Sequence, residues 1–564
     1  MATTAFDVLG AHRRICERLT APGAPFAVTE AVVGGHATKV YTECDANVVD
    51  VFLRNESRFA PLDLVIEGER RLTYGEVFGA SARLAGWLQD RHGIKAGDRI
   101  GLVMRNRPEW FVAFAAILRA GAVAVLLNSR GAGAELAAAS ADVPCALVLA
   151  DDERAARMRE AGVATPIETL APIEAALAGE GRAAEPVRVD ADAPAMILFT
   201  SGTTGRPKGA VLTQRNITNM ARNLDYLTAL QVELAAEMYG VSVETLRTMM
   251  PRVSNLLVFP LFHISGITAF FMASAVGGQL VTMRRWSPGA ALELISEHRI
   301  TTLSGPPLIL GDLLDHPEAA ERLKTVNAIG VGGQATPRSL IDRVRAALPT
   351  ATQSSGWGMT EVSGSVTAIA GAPYLLKPAS CGDCSPIVEL CVRDEEGRTL
   401  PEGATGELWV RGAVVMHGYF NAPEANAAAF DGPWLRTGDV GYIDPDGFVH
   451  LVDRKKDMVI CAGENIYCAE VERVLSADPD FVEVCLFGVP DARLGERAIA
   501  AVSLREGATR SEAEVQALAR ASLADYKVPA AVVFDLGPFP RNATGKVNKA
   551  ALRARYLEKA GEPA

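Results

Sequence analysis

The chain has 564 residues, room for three or four domains or subdomains at roughly 100–200 residues each. Hydrophobic residues make up 49% and charged residues 22%, a balance that argues against global disorder and permits a large buried core. The net charge of −11, from 56 basic and 67 acidic residues, argues against a broad nucleic-acid or anionic-membrane surface and leaves only local basic pockets.

The opening MATTAFDVLGAHRR lacks the apolar core of a signal peptide. Nine cysteines, scattered from Cys16 to Cys485, are an odd number in a chain too long to need disulfide staples. A reduced, cytoplasmic setting is the expectation. Thr73-Tyr74-Gly75-Glu76 has the pattern of a capping box, and the apolar-periodic segment behind it predicts a helix ending at Gly93. The run Arg99 to Met104 predicts a strand, Pro108 opens a helix that stops near Gly121, and Val123 to Leu127 predicts a buried strand. This alternation points to parallel α/β architecture. Two apolar stretches, Trp110 to Leu127 and Leu256 to Met283, are interrupted by Arg119, Gly121, Pro260, His263 and further glycines. Both read as buried helix and strand, short of a membrane span, with peripheral membrane contact left open. Glu153 to Glu185 reads as helix and linker.

The stretch Ile197-Leu-Phe-Thr-Ser-Gly-Thr-Thr-Gly-Arg-Pro-Lys-Gly-Ala-Val211 carries the most information. An apolar strand enters a loop of glycines and hydroxyls that ends in Lys208. Glycines let backbone N–H groups approach an anion, Ser201, Thr203 and Thr204 add hydroxyl donors, and Lys208 can neutralise a phosphate. This is not the Walker loop, because Pro207 stands where its second glycine belongs and Gly209 follows the lysine. A second apolar run, Ala210 to Leu212, places the loop between two strands. The segment Asn223 to Pro251 reads as a pocket roof or a surface helix. Further on, Val331 ends an apolar run, so Gly332-Gly333-Gln334 falls at the carboxyl end of a strand, where α/β proteins bind ligands. Cys381-Gly-Asp-Cys384 has redox or zinc spacing, but no second pair follows it. Beyond Arg393, the turns Asp394-Glu-Glu-Gly397, Pro401-Glu-Gly403 and Asp444-Pro-Asp-Gly447 predict short antiparallel strands. Asp453-Arg-Lys-Lys-Asp457 then punctuates the chain before a small α+β domain.

Ser201-Gly-Thr-Thr-Gly-Arg-Pro-Lys-Gly209 resembles the signature loop of the adenylate-forming enzymes, in particular the acyl-CoA synthetases. The resemblance continues in order through Ser355-Gly-Trp-Gly-Met-Thr-Glu361, Gly406-Glu-Leu-Trp-Val-Arg-Gly412, Trp434-Leu-Arg-Thr-Gly-Asp439, Asp453-Arg-Lys-Lys-Asp457, Gly463-Glu-Asn-Ile466 and Pro540-Arg-Asn-Ala-Thr-Gly-Lys546. It covers the chain from about Val51 to Leu552. It implies an α/β fold: a large N-terminal domain, 1–452, of two α/β sheets plus a small β-barrel-like part; a hinge, 453–457; and a small mobile α+β lid, 458–564. It also implies an ATP-dependent acid–CoA ligase using ATP, Mg²⁺ and coenzyme A, with a small-molecule acid as substrate.

Residue roles follow from the same resemblance. Lys546 is expected to bridge the substrate carboxylate and the α-phosphate, Glu361 to hold Mg²⁺ and Thr360 to donate to the α-phosphate. Ser201, Gly202, Thr203, Thr204, Gly205 and Lys208 are expected to cradle the phosphates, with Thr204 counted among the catalytic residues. Trp357, where the family usually carries tyrosine, is expected to line the adenine pocket with Gly332, Gly333, Gln334 and Gly358. Asp439 is assigned to the ribose hydroxyls and Arg454 to the ribose–phosphate side. Lys456 matches the hinge position, and Gly463 is expected to pass the pantetheine arm. The acyl pocket is expected to draw on His263, Ile264, Gly266, Met359 and Gly364, without a proton-transfer role for His263. Its apolar lining and small residues point to a medium- or long-chain fatty acid, with an aryl or alicyclic acid as the alternative. A ligase that loads a carrier protein is the other alternative, although no Ser-bearing carrier motif follows Lys546. Gln214 replaces a histidine common in the family, a change not expected to abolish activity.

Overall fold

The computed structural model describes residues 6–200, 207–331, 338–462, 464–491, 493–542 and 545–560. Two large sheets dominate. In the seven-stranded sheet, Arg99–Val103, Val123–Leu126, Leu147–Ala150 and Ile167–Glu168 run parallel with Pro194–Thr200. Their near-continuous Val, Leu and Ala runs follow from burial on both faces. Lys208–Thr213 and Gly418–Tyr419 complete one edge as antiparallel strands.

The nine-stranded sheet has a parallel centre: Gln279–Thr282, Ser254–Leu257, Thr302–Gly305, Ala328–Val331 and Thr352–Met359. Gly364–Ala370 and Asp383–Cys384 continue it antiparallel to its outer edge. Helices Val48–Phe59, Tyr74–His92, Pro108–Arg119 and Ile264–Ala275 share a core rich in aromatics. Phe52, Phe78, Phe111, Phe114, Phe270 and Trp110 are almost fully buried there, each stabilising the fold by about 1.5–3 kcal/mol. Trp110 and Phe114 stack at 4.8 Å. This packing fixes the helix whose first turn faces the candidate site.

The expected capping box forms: Thr73 accepts from Glu76 N, Glu76 accepts from Thr73 N, and Gly93 closes the helix at φ +62°. The segment 223–251 belongs to Gln214–Tyr239 and to Val243–Met249, a helix with no buried residue. Ion pairs from Glu233 and Glu237 to Arg18 and Arg14 tie the longer helix to Val8–Thr20, and its inner face is buried at Leu224, Tyr226, Leu230 and Leu234, so only the Val243–Met249 part is wholly surface helix. No helix among the described residues is long and apolar enough to cross a membrane.

The third β part is a five-stranded antiparallel sheet of Val388–Arg393, Gly406–Gly412, Phe430–Asp431, Trp434–Ile443 and Val449–Arg454. Its last strand runs past the expected boundary at 452, because Asp439 pairs with Arg454. The turn proper is 455–457. The C-terminal part has its own sheet, with Gly495–Leu504 between Val459–Cys461 and Phe481–Asp491, and its own core around Val459, Val471, Leu486 and Val515. The molecule is thus α/β with a small α+β C-terminal domain.

Candidate active site

The phosphate loop joins two strands, as its sequence predicts. Pro194–Thr200 and Lys208–Thr213 pair antiparallel, with Lys208 opposite Thr200. Ser201, Gly202, Thr203, Thr204 and Gly205 lie outside the described residues, as do Gly332, Gly333, Gln334 and Gly463. The strand Ala328–Val331 leads directly into the second of these groups.

Glu361 sits in a short 3-10 turn, Thr360–Val362, that ends the strand Thr352–Met359. It is 6% exposed. Burial raises its carboxyl pKa, while hydrogen bonds from its own backbone, Tyr419 and Thr200 pull the other way. The Tyr419 hydroxyl donates to Glu361 Oε1 at 2.9 Å. The face of the same ring lies 5.4 Å from Lys208 Nζ. Tyr419 therefore joins the base of the phosphate hairpin to the carboxylate. Its own place is fixed by Asn426, whose Oδ1 accepts from Tyr419 N at 2.6 Å. Sequence reasoning missed Tyr419; the only signal was an aromatic after Gly418 in a turn-rich stretch.

Trp357 is buried, and its Nε1 donates to Asp439 Oδ2 at 2.7 Å. Arg454 Nε lies 3.1 Å from Asp439 Oδ1. Both carboxylate oxygens thus already have a partner, and each retains a lone pair for a sugar hydroxyl. The indole that replaces the family's usual tyrosine therefore orients the carboxylate. Thr360 is buried beside Glu361.

From the C-terminal domain, Lys546 stands in a tight loop. Its N–H donates to Asn542 Oδ1 at 3.0 Å, its carbonyl accepts from Asn542 N at 2.8 Å, and Arg541 pairs with Val547. The ammonium lies within the electrostatic reach of Arg454, Asp439 and Lys456, and lowers the pKa of His263 in turn. Burial, with repulsion from Arg454 and Lys456 and opposed by Asp439, brings Lys546 down to about 8. The structure therefore gathers Lys546, Asp439, Arg454, Lys456 and His263 at one seam between the two domains.

The two hinge lysines differ. Lys455 Nζ is 3.2 Å from Glu407 Oε2, and its N–H donates to Gly438 O. Lys456 forms no ion pair among the described residues. Asp453 accepts from Arg454 N at 2.7 Å and from Ala469 N at 3.2 Å, which bridges the last N-terminal strand to the helix Cys468–Leu475. Burial raises Asp453 to about 6. Sequence reasoning gave this aspartate no task.

His263 caps the helix Ile264–Ala275, with Nδ1 accepting from Ser265 N at 3.3 Å. Burial and the Lys546 charge push it down to about 4, so it is neutral near pH 7. Ile264 is buried on the same turn and Met359 packs against the main core. The glycines of this region have a packing cause. A Cβ on Gly266 would stand 2.3 Å from Pro260 O, one on Gly358 1.7 Å from Gly364 O, and one on Gly364 2.9 Å from Thr268 Oγ1. Gly364 also has φ +116°, which L side chains rarely adopt. Close backbone approach at Gly266 and Gly358, and the positive φ of Gly364 beside the Thr268 hydroxyl, explain these three small residues more than vacant space does. Gln214 is buried, with Oε1 accepting from Val48 N at 2.9 Å, a structural task apart from the site.

Comparison with known proteins adds an independent line. The family model described as AMP-binding enzyme matches residues 53–420, and the one described as AMP-binding enzyme C-terminal domain matches 470–546. A 2-succinylbenzoate–CoA ligase of Bacillus velezensis is 33% identical over 85% of this chain and 92% of its own. A long-chain fatty-acid–CoA ligase of Mycobacterium tuberculosis is 31% identical over 86% of this chain and 93% of its own. Among solved structures, the o-succinylbenzoate coenzyme A synthetase of Bacillus subtilis in complex with ATP and magnesium ion superposes with a TM-score of 0.73. It is 29% identical and covers 89% of this chain and 99% of that one.

Proposed function

Because this chain belongs to the AMP-binding enzymes and is an AMP-forming acid–CoA ligase that uses ATP, Mg²⁺ and CoA, we propose that its acid is hydrophobic, a medium- or long-chain fatty acid, activated at the seam around Lys546. The observation that carries the reading of the site is the convergence of Lys546, Asp439 and Arg454 from two domains. In the first step, a substrate carboxylate oxygen attacks the α-phosphorus of ATP, an O–P bond forms and pyrophosphate leaves. Two anions must meet, and Lys546 with Arg454 lowers their repulsion. Asp439 holds the ribose through its remaining lone pairs. Glu361 is the residue that would hold Mg²⁺: it is a hard oxygen donor, and its burial leaves a site a cation can relieve. When bound, that ion supplies charge neutralisation for the phosphates. In the second step, the CoA sulfur attacks the acyl carbon, the acyl C–O bond breaks and AMP leaves. Neutral His263 acts as a wall of the acyl pocket.

The buried Ile264, Met359 packed against the same core, and the similarity to the long-chain fatty-acid–CoA ligase support the fatty-acid reading. An aryl or alicyclic acid is the second reading. The relation to the 2-succinylbenzoate ligase favours it, as do glycines that bring backbones together in place of opening a long channel. Pyrophosphate release with a panel of alkanoates and aryl acids, with and without CoA, separates the two. The fatty-acid reading requires an alkanoate to give the highest kcat/KM. An aryl acid ahead by tenfold or more overturns it.

Two expected results arise here. Tyr419→Phe removes the donor to Glu361 while keeping the ring beside Lys208. A hydrogen bond to a charged group contributes about 1.5–3 kcal/mol. The variant should need about ten- to a hundredfold more Mg²⁺ for half-maximal adenylation, with its melting temperature little changed; an unaltered Mg²⁺ requirement contradicts the link. The second concerns pH. Lys546 in the free enzyme has its pKa lowered to about 8, so its positive form is lost as pH rises through that value. Adenylation kcat/KM for ATP should then fall about tenfold per pH unit above about 8. Lys546→Arg, charged throughout, should remove that limb even where it lowers the rate. A limb that persists in the arginine variant assigns the titration elsewhere.

A further inference from the structure

The helix Val8–Thr20 carries His12 and Cys16 one turn apart, so both side chains leave the same face. That face meets Asp383–Cys384, the outermost strand of the nine-stranded sheet. His12 Nε2 lies 3.2 Å from Asp383 Oδ2 and 3.3 Å from Oδ1, and His12 is 7% exposed. Ligand atoms of His12, Cys16 and Asp383 all fall within 4.8 Å of one another. Tyr226, buried on the long helix Gln214–Tyr239, lies beside Cys16 and bounds the cluster. None of these four residues belongs to the active site described above.

An imidazole nitrogen, a thiolate and a carboxylate are the donor types zinc takes, at about 2.0–2.3 Å, which sets tetrahedral edges of roughly 3.3–3.8 Å. The His12–Asp383 separation of 3.2 Å is already at such an edge, and the remaining ligand-atom separations, within 4.8 Å, close by about 1 Å at most to reach it. A simple His–Asp ion pair accounts for two of the three groups. The Cys16 sulfur, one helical turn along, lies within reach of the same point and adds a third donor that the ion pair does not use. The CxxC spacing noted in the sequence is not the donor set. Neither Cys381 nor Cys384 joins the cluster, and desolvation pushes their thiols up to about 11 and about 12. The residue between them, Asp383, is the one that points to the helix.

We propose that His12, Cys16 and Asp383 bind one zinc ion, with water or the Tyr226 hydroxyl in the fourth position. The ion clips the N-terminal helix to the outer strand of the sheet. Binding deprotonates the Cys16 thiol and releases that proton to solvent. Asp383 pairs in register with Ala368 on the strand Gly364–Ala370, so the clip braces the sheet that ends in the acyl-pocket residue Gly364.

The test uses the full chain, stripped of metal by a chelator and titrated with Zn²⁺ alone, then with Co²⁺ as a spectroscopic probe. The expected result is one tight equivalent per chain, a cobalt–thiolate charge-transfer band, and a melting temperature that rises with Zn²⁺. Cys16→Ser and His12→Gln should each weaken binding by about a hundredfold or more and abolish the band and the shift. Acid-dependent pyrophosphate exchange should be unchanged in Cys16→Ser, since Cys16 touches no part of the adenylation site. If His12→Gln fails to fold, Cys16→Ser carries the test, because Cys16 is outside the ion pair. A wild-type chain that binds no zinc, or a band that survives Cys16→Ser, overturns the proposal.

Discussion

Lys546→Ala is expected to slow acyl-adenylate formation by about 10²–10³-fold while leaving CoA transfer from supplied acyl-adenylate within about threefold of wild type. The asymmetry follows from where charge is needed. Only the first step brings a carboxylate against a phosphate, and Lys546 is the ammonium that the C-terminal loop delivers beside Asp439 and Arg454. Lysine suits the task as a compact charge on a flexible stem. The loop holding it is built from Asn542 and Arg541, which keep their own hydrogen bonds when the side chain is cut back. Rapid-quench single turnovers of each half-reaction measure the two rates separately. An equal loss in both steps contradicts the assignment.

Lys456→Pro is expected to have the opposite profile. It should slow thioester formation by on the order of a hundredfold and adenylation by less than about tenfold, because proline fixes φ near −65° and removes a pivot. In the conformation described, Asp457 N and Met458 N both donate to Arg454 O, and Lys455 is anchored by Glu407 and Gly438. Lys456 N donates to none of the described residues, so proline there removes no hydrogen bond among them. The preceding residue is held toward extended backbone as well, which accounts for the modest adenylation loss. If the C-terminal domain re-orients between steps, the freedom it needs is placed at Lys456, which has no ion pair or backbone N–H bond among the described residues. Comparable slowing of both steps contradicts a hinge there.

Much of the fold was legible because its signals are local. The capping box at Thr73, the strand–loop–strand around residue 205 and the turn-punctuated β region after Arg393 are patterns within a few residues, and short-range hydrogen bonding realises them. The seven ordered motifs pointed to the family, which the AMP-binding models match. What escaped was non-local. Tyr419 reaches Glu361 across 58 residues, Trp357 reaches Asp439 across 82, and His12 reaches Asp383 across 371. No periodicity encodes such pairs; they exist only once the sheets are laid side by side. Gly266, Gly358 and Gly364 carry a related lesson. Their small size suggests room, whereas the chain uses it for backbone-to-backbone contact at Gly266 and Gly358. The strand Val449–Arg454 has a similar origin. Asp453 and Arg454 look like the start of a charged linker, yet sheet pairing with Asp439 and Val440 carries the strand through them.

The central claim is that a carboxylate attacks the α-phosphorus at the Lys546 seam, and the fate of its oxygen tests this most directly. An accepted acid labelled with ¹⁸O in its carboxylate is turned over with ATP, Mg²⁺ and CoA, and the nucleotide and phosphate products are weighed by mass spectrometry. The account predicts one labelled oxygen in AMP and none in pyrophosphate. Label in orthophosphate with ADP as the nucleotide product, or unlabelled AMP, contradicts it.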